Sequence, residues 1–252
     1  MIKIILSGCN GKMGQVITRI IEELDYAKIV AGFDINTNML NDYPVYSKPD
    51  EFADAADVII DFSHPSSLTP LLKFAQDKNI PAVVATTGLT QNAIAELKEA
   101  SKNIPIFFSA NMSLGVNLMI DIVTRAAKFL QESFDIEIIE KHHNQKIDAP
   151  SGTALAIADA VSSVLDTPAE YVYDRHSMRK KREKKEIGIH AVRGGTIVGE
   201  HSVIFAGLDE IIEIKHQASS KEVFAVGSVR AAKFLYNQKP GLYDMKDLVN
   251  SL

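Results

Sequence analysis

The chain has 252 residues, 46% hydrophobic and 23% charged, a balance that excludes disordered, collagen-like and coiled-coil proteins. Its 27 lysines and arginines against 32 aspartates and glutamates leave a formal charge of −5, so no global field attracts nucleic acid or an anionic membrane. A single cysteine, an N-terminal apolar run that stops at Gly8 and no later run of about 18 apolar residues fit a cytoplasmic protein without a membrane span.

Residues 2–7 read as a buried strand that enters a glycine-rich turn, Gly8 to Gly14. Val16, Ile17, Ile20, Ile21 and Leu24 then recur at helical spacing over Met13–Leu24. A second strand, Lys28–Phe33, ends at Asp34. Strand–helix pairs follow: Asp57–Phe62 with Leu68–Ala75, Ala82–Ala85 with residues 92–102, and then Ile106–Ser109. Such alternation implies a parallel sheet covered on both faces, a doubly wound Rossmann-type α/β domain.

The pattern changes after Asn111. Leu118–Leu130 is a long apolar helix, Asp135–Lys141 alternates with Ile136 and Ile138 on one face, and residues 153–165 are helical. Runs near Ile187–Val192, Thr196–Phe205 and Glu210–His216, joined by glycine-containing turns, predict an α+β domain whose sheet is mainly antiparallel or mixed. Glu222–Tyr236 reads as a helix and Pro240-Gly241 as a turn before a short tail. The basic run Arg179-Lys-Lys-Arg-Glu-Lys-Lys185 lacks interleaved aromatics and is expected to be a solvated, mobile surface connection.

Two constellations carry chemistry. The first is Gly8-Cys9-Asn10-Gly11-Lys12-Met13-Gly14, a G-x-x-G-x-x-G loop between a strand and a helix. Glycines there admit a pyrophosphate close to the backbone, and the helix start offers free N–H groups. Asp34, about 20 residues beyond Gly14, stands where a carboxylate holds ribose hydroxyls. The loop therefore predicts a nicotinamide-dinucleotide site. Asp34 favours NADH by repelling a 2′-phosphate, whereas Lys12 can reach such a phosphate, so NADPH stays open. Cys9 is read as a small loop residue.

The second is Glu140-Lys-His-His-Asn-Gln-Lys-Ile-Asp-Ala-Pro-Ser-Gly-Thr-Ala154. Ser151, Gly152 and Thr153 lie at a helix start, where capping residues expose N–H groups to a substrate carboxylate. Lys146 brings a cation to the same loop, and a histidine can move a proton near neutral pH. His142 and His143 point to opposite faces if the strand persists. No metal-ligand spacing accompanies the seven histidines.

This segment closely resembles the signature of the dihydrodipicolinate reductase family. So do Gly8–Gly14, Ala85-Thr-Thr-Gly88, Ser109-Ala-Asn-Met-Ser113, Arg193-Gly-Gly-Thr-Ile-Val-Gly-Glu-His201 and Ser219-Ser-Lys221. The resemblance implies reduction of 4-hydroxy-tetrahydrodipicolinate by NADH or NADPH with loss of water, in lysine and diaminopimelate synthesis. It implies a small dicarboxylate substrate, with His142 as proton donor or acceptor and Lys146 as proton donor. His143, Gly152, Thr153 and Lys221 would bind substrate. Gly8, Cys9, Asn10, Gly11, Lys12, Met13, Asp34, Ala85, Thr86, Thr87, Ser109, Ala110, Asn111 and Met112 would contact the dinucleotide. It further implies that 222–252 rejoins 1–112 as the dinucleotide-binding domain, that 113–221 binds substrate, and that homotetramers form through the second domain's sheet.

Four positions depart from the family pattern. Ala85 replaces a glycine before Thr-Thr, and Met112 stands where an aromatic is common. Ile35 sits where members preferring the phosphorylated cofactor often carry arginine, and Lys221 replaces an arginine able to grip a carboxylate with two bonds. The rival readings are another two-domain NAD(P)-dependent amino-acid or semialdehyde dehydrogenase, and a non-catalytic dinucleotide sensor.

Overall fold

The computed structural model describes residues 1–39 and 41–251 and divides them into two units, one of residues 1–114 with 222–252, the other of 115–221. In the first unit the chain runs β1 (Ile2–Ser7), α1 (Lys12–Glu22), β2 (Ala27–Phe33), β3 (Val45–Tyr46), β4 (Val58–Asp61), α2 (Leu68–Asp77), β5 (Ala82–Val84), α3 (Gln91–Ala100) and β6 (Pro105–Phe108). The second unit takes up α4 (Leu114–Leu130), β7 (Asp135–His142), α5 (Gly152–Ser162), β8 (Glu170–Val172), β9 (Glu186–Arg193), β10 (Gly199–Ala206) and β11 (Ile211–Ala218). The chain then completes the first unit with α6 (Glu222–Leu235), β12 (Gly241–Tyr243) and α7 (Met245–Asn250).

The first unit's strands lie in the order β12-β6-β5-β4-β1-β2-β3, and every pairing is parallel. Parallel strands buried on both faces need apolar side chains in both directions, and Ile59 and Ile60 in β4 supply them. Ile4 and Leu6 of β1 pack on one side with Ile17 and Ile21 of α1 and Val229 and Leu235 of α6. Ile5 points the other way and joins Leu71 and Phe74 of α2 and Leu97 of α3. Strand order reverses between β1 and β4. That crevice, at the carboxyl ends of the strands, is where doubly wound sheets bind ligands.

The second unit's sheet runs β11-β10-β7-β9-β8. It is mixed: β10 is antiparallel to β7 and β11, while β9 is parallel to β7 and β8. The turn after β9 therefore does not close a hairpin, because β7 lies between β9 and β10. One face of β7, bearing Ile136 and Ile138, packs under Met119 and Val123 of α4 and Ile157 and Val161 of α5. Glu140 and His142 continue that same face.

Two departures from the sequence expectation have local causes, and the basic run, an exposed connection as expected, has more partners than expected. Residues 241–243 form β12 instead of ending a turn, because the edge of β6 accepts their backbone. β3 and β8 are likewise short edge strands set by their neighbours. The basic run is tied down by acidic partners: Arg182 bonds Asp135 and Glu137, Lys180 pairs with Glu183 and Glu186, and Lys185 pairs with Glu170.

Candidate active site

In the first unit the glycine loop closes tightly against the end of β4. Gly8 has φ +77°, and a Cβ there would stand 2.6 Å from the Phe62 carbonyl oxygen. Only glycine takes that conformation without strain. A Cβ at Gly14 would collide with the Gly8 and Cys9 carbonyls, so α1 can start this close to the loop only without a side chain. Gly11 caps α1 and has no side chain to occupy the helix's first N–H groups. Asp34 accepts the Asn10 N–H at 2.9 Å and the Asn36 N–H at 2.9 Å, which knits the end of β2 to the loop. Asn10 also bonds the Asn36 carbonyl and accepts from Asn41.

These groups border a cleft of about 910 Å³ lined by Ser7, Gly8, Gly11, Asp34, Ile35, Phe62, Ser63 and Thr87, among others. The size, the side-chain-free cradle and the carboxylate at its rim fit a dinucleotide. Thr86 is buried, donating to Asp61 at 2.6 Å, while Thr87, Lys12 and Ala110 are exposed. Ser109 Oγ donates to the Asn111 carbonyl and accepts the Asn111 N–H, forming a tight bend. Ala85, Cys9 and Met112 are buried in the core with Leu6 and Val83, so only their backbones remain for a ligand. Burial pushes the Cys9 thiol up to about 12, which keeps it protonated and inert. Ile35 is 93% exposed and extends no cation to the rim.

The second unit gathers ionisable groups around the end of β7. Ser151 caps α5, its Oγ accepting the Ala154 N–H. Lys146 Nζ lies 2.8 Å from Asp148 Oδ1. The Asp148 carboxyl is held below its usual range by Lys146 first, and further by the N–H groups of Asp148 and Gly152. Thus Lys146 and the start of α5 converge on one carboxylate. Thr153 is the next residue of that helix start, and His143 is half-buried with its Nδ1 enclosed. Lys221 is exposed beyond β11 and makes no bond to the cluster among the described residues.

Three side chains of this site carried no role in the sequence reading. Glu140 is fully buried and bonds His142, Arg193 and the Ser151 N–H. Burial pushes its pKa up, yet those bonds outweigh burial and hold it below the usual carboxylate range. His201 is buried beside His142, its Nε2 3.1 Å from Ser151 Oγ, and burial lowers it to about 4. Glu140 was legible, since residues two apart on a strand share a face. Arg193 lies 53 residues from its partner, and no local pattern announces the pairing.

A parallel sheet with a glycine cradle, together with a cluster of histidine, lysine and helix start on a separate unit, is the pattern of a dinucleotide-dependent oxidoreductase. Comparison with known proteins narrows this. Dihydrodipicolinate reductase N-terminus matches residues 2–112 and dihydrodipicolinate reductase C-terminus matches 115–249. The chain is 57% identical over 249 residues to 4-hydroxy-tetrahydrodipicolinate reductase of Caldanaerobacter subterraneus subsp. tengcongensis, covering 99% of this chain and 98% of that one. Against the Clostridium tetani protein of the same name it is 48% identical, covering 100% and 98%. The dipicolinate-bound dihydrodipicolinate reductase from Paenisporosarcina sp. TG-14 superposes with a TM-score of 0.84 at 24% identity, covering 98% of this chain and 99% of that one. The chain belongs to the dihydrodipicolinate reductase family.

Proposed function

We propose that this protein reduces 4-hydroxy-tetrahydrodipicolinate to tetrahydrodipicolinate, with NADH, NADPH or both as reductant and with loss of water. The observation that carries this reading is the convergence of Lys146 and the Gly152 N–H on the Asp148 carboxylate. A dianionic dicarboxylate asks for such donors, and a chain with net charge −5 supplies them only locally. The Caldanaerobacter and Clostridium relatives carry the name of this reaction, and the Paenisporosarcina structure holds dipicolinate, a dicarboxylate of the same class.

Gly8, Gly11, Lys12, Met13 and Asn10 would line the pyrophosphate, with Cys9 contributing backbone only. Asp34 would hold the adenosine ribose, and Ala85–Thr87 with Ser109–Met112 would border the nicotinamide half. When bound, the dinucleotide supplies a hydride for C4 of the substrate ring. The chain's own groups then handle charge and protons. Gly152, Thr153 and His143 orient the substrate, and Lys221 adds a cation. Lys146 donates a proton as the 4-hydroxyl leaves as water, and His142 exchanges a proton at its ring nitrogen. Hydride and one proton in, water out: the reaction balances.

We also assign the protein to the cytoplasm as a homotetramer. No helix among the described residues is long and apolar enough to cross a membrane. The sheet of the second unit has α4 and α5 on one face, while Val192 and Ile211 on the other are exposed apolar side chains, a surface suited to another copy. Sedimentation velocity tests this, a monomer refuting it. For the reaction, substrate is made enzymatically from pyruvate and aspartate semialdehyde, and oxidation of NADH and NADPH is followed separately. Oxidation of at least one is expected; oxidation of neither overturns the assignment.

A further inference from the structure

We propose that Glu140, clamped by Arg193, is a positioning residue that commits His142 to the tautomer protonated on Nδ1 and leaves Nε2 as the atom that exchanges the proton. The proposal deepens the reading of His142 above and rests on it.

The geometry is determined by donor and acceptor counting. His142 Nδ1 lies 2.7 Å from Glu140 Oε2. Arg193 grips the same carboxylate with two bonds, Nη1 to Oε2 at 2.8 Å and Nη2 to Oε1 at 2.7 Å, and the Ser151 N–H reaches Oε1 at 2.9 Å. Four donors thus occupy the roughly four lone-pair sites of an ionised carboxylate. An ionised carboxylate only accepts, so a neutral imidazole in that bond must carry its hydrogen on Nδ1. Glu140 is completely buried, and removing its charge would orphan the guanidinium, so the carboxylate stays ionised while the ring gains and loses its proton.

The other ring nitrogen is placed as consistently. Nε2 of His142 lies 3.1 Å from where a Cβ would stand at Gly199, so the start of β10 leaves it room by having no side chain. The His201 ring meets His142 edge to face, with centroids 5.2 Å apart, and limits rotation. Ser151 Oγ, which accepts from Ala154, also shares a hydrogen bond with His201 Nε2 and holds that ring in place. Burial then keeps His201 neutral, with a value near 4. The charged and titratable groups around His142 are Glu140 on its own strand, Arg193 on β9 through that carboxylate, and His201 on β10, which is itself neighboured by Lys146 and His216. Among them Glu140 alone offers the Nδ1 hydrogen a charged acceptor. When Nε2 takes a proton, the resulting cation faces Glu140; when it gives the proton up, the ring returns to the Nδ1–H form.

Nitrogen-15 spectra of histidine-labelled native protein read the tautomer directly, independently of turnover. A protonated Nδ1 and a pyridine-like Nε2 on His142 are expected; the reverse pattern overturns the proposal even if the enzyme is active. A protein with the expected tautomer but no turnover would instead overturn the function assigned above. In Glu140→Gln a mixture of tautomers and at least a tenfold loss of kcat are expected, with KM for the dinucleotide unchanged and partial recovery in Glu140→Asp. Native kcat and an unchanged His142 spectrum in a folded Glu140→Gln protein would refute it. If that variant fails to fold, the native spectrum still decides.

Discussion

The two sheets of this protein solve opposite problems. The strands of the first unit are buried on both faces, and its binding groups are mostly backbone: a glycine cradle, a bare helix start and one carboxylate at the rim. The second sheet alternates along β7, and its helix-covered face runs from isoleucine into a buried glutamate and a histidine. A parallel sheet clothed on both sides leaves little interior for ionisable groups, Asp61 at the end of β4 apart, so what its cradle offers a ligand is shape and dipole. A sheet with one dry face can end that face in charge, because Arg193 and the start of α5 stand ready to neutralise it. The proposed function thereby divides dinucleotide recognition and proton chemistry between two architectures.

Breaking the ionisable side has the largest expected effect. His142→Ala and Lys146→Ala should each lower kcat by about 100- to 10,000-fold, the range for a lost proton donor, with dinucleotide affinity unchanged by fluorescence titration. Equal losses in both quantities would erase the proposed division. Breaking the backbone side should do the reverse. Gly8→Ala places a side chain at positive φ against the Phe62 carbonyl, and it should weaken dinucleotide binding at least tenfold, roughly 1.4 kcal/mol or more. Turnover at saturating dinucleotide should fall less.

The second unit should also carry the acid sensitivity. His201 is lowered from 6.5 to about 4, so below pH 6.5 the unfolded chain takes up a proton that the folded chain refuses. Stability is full above that pH and falls as pH drops toward 4, by roughly 3 kcal/mol over the window. Glu140, Glu137 and Glu186, all held below their ordinary 4.5, act in the same direction at lower pH, as their folded-state pairs are protonated. Urea unfolding between pH 7 and 5 reads His201 together with His216, which burial also lowers, and His201→Asn should flatten the larger part of that curve. An unchanged slope would locate the sensitivity elsewhere. The smallest effect is expected for Arg182→Ala, which removes bonds to Asp135 and Glu137 and should cost about 1 kcal/mol in the second unit by the same measurement.

How far the sequence was readable follows the same divide. The first unit is legible because its signals are local: a strand, a glycine loop and a helix follow one another within residues 2–22. Its last strand is not, since Gly241-Leu-Tyr243 has little strand character and is extended only by pairing with β6. In the second unit the His-His-Lys loop and the cap at Ser151 announce a site. The parallel pairing of β9 with β7 does not, because it depends on residues some fifty positions apart. That pairing brings Arg193 to Glu140, so the same non-local contact hides both the sheet order and the residue that fixes the carboxylate. The basic run is the exposed connection its composition implies, but its ties to Asp135 and Glu137 are not legible because those partners are distant in the chain.

The interruption of the first unit has a consequence for how the protein is made. Ala225, Val229, Ala232 and Leu235 of α6, with Met245 and Leu248 of α7, belong to the same core as Ile4, Leu6 and Ile17. During synthesis the first six strands emerge well before these residues, with the whole of the second unit between them. One face of the nascent sheet, carrying only α1, must wait half-covered while more than a hundred residues are translated, whereas the second unit has its complete core as soon as it leaves the ribosome. The later-encoded unit is thus the earlier to finish, and the nucleotide cradle is sealed last.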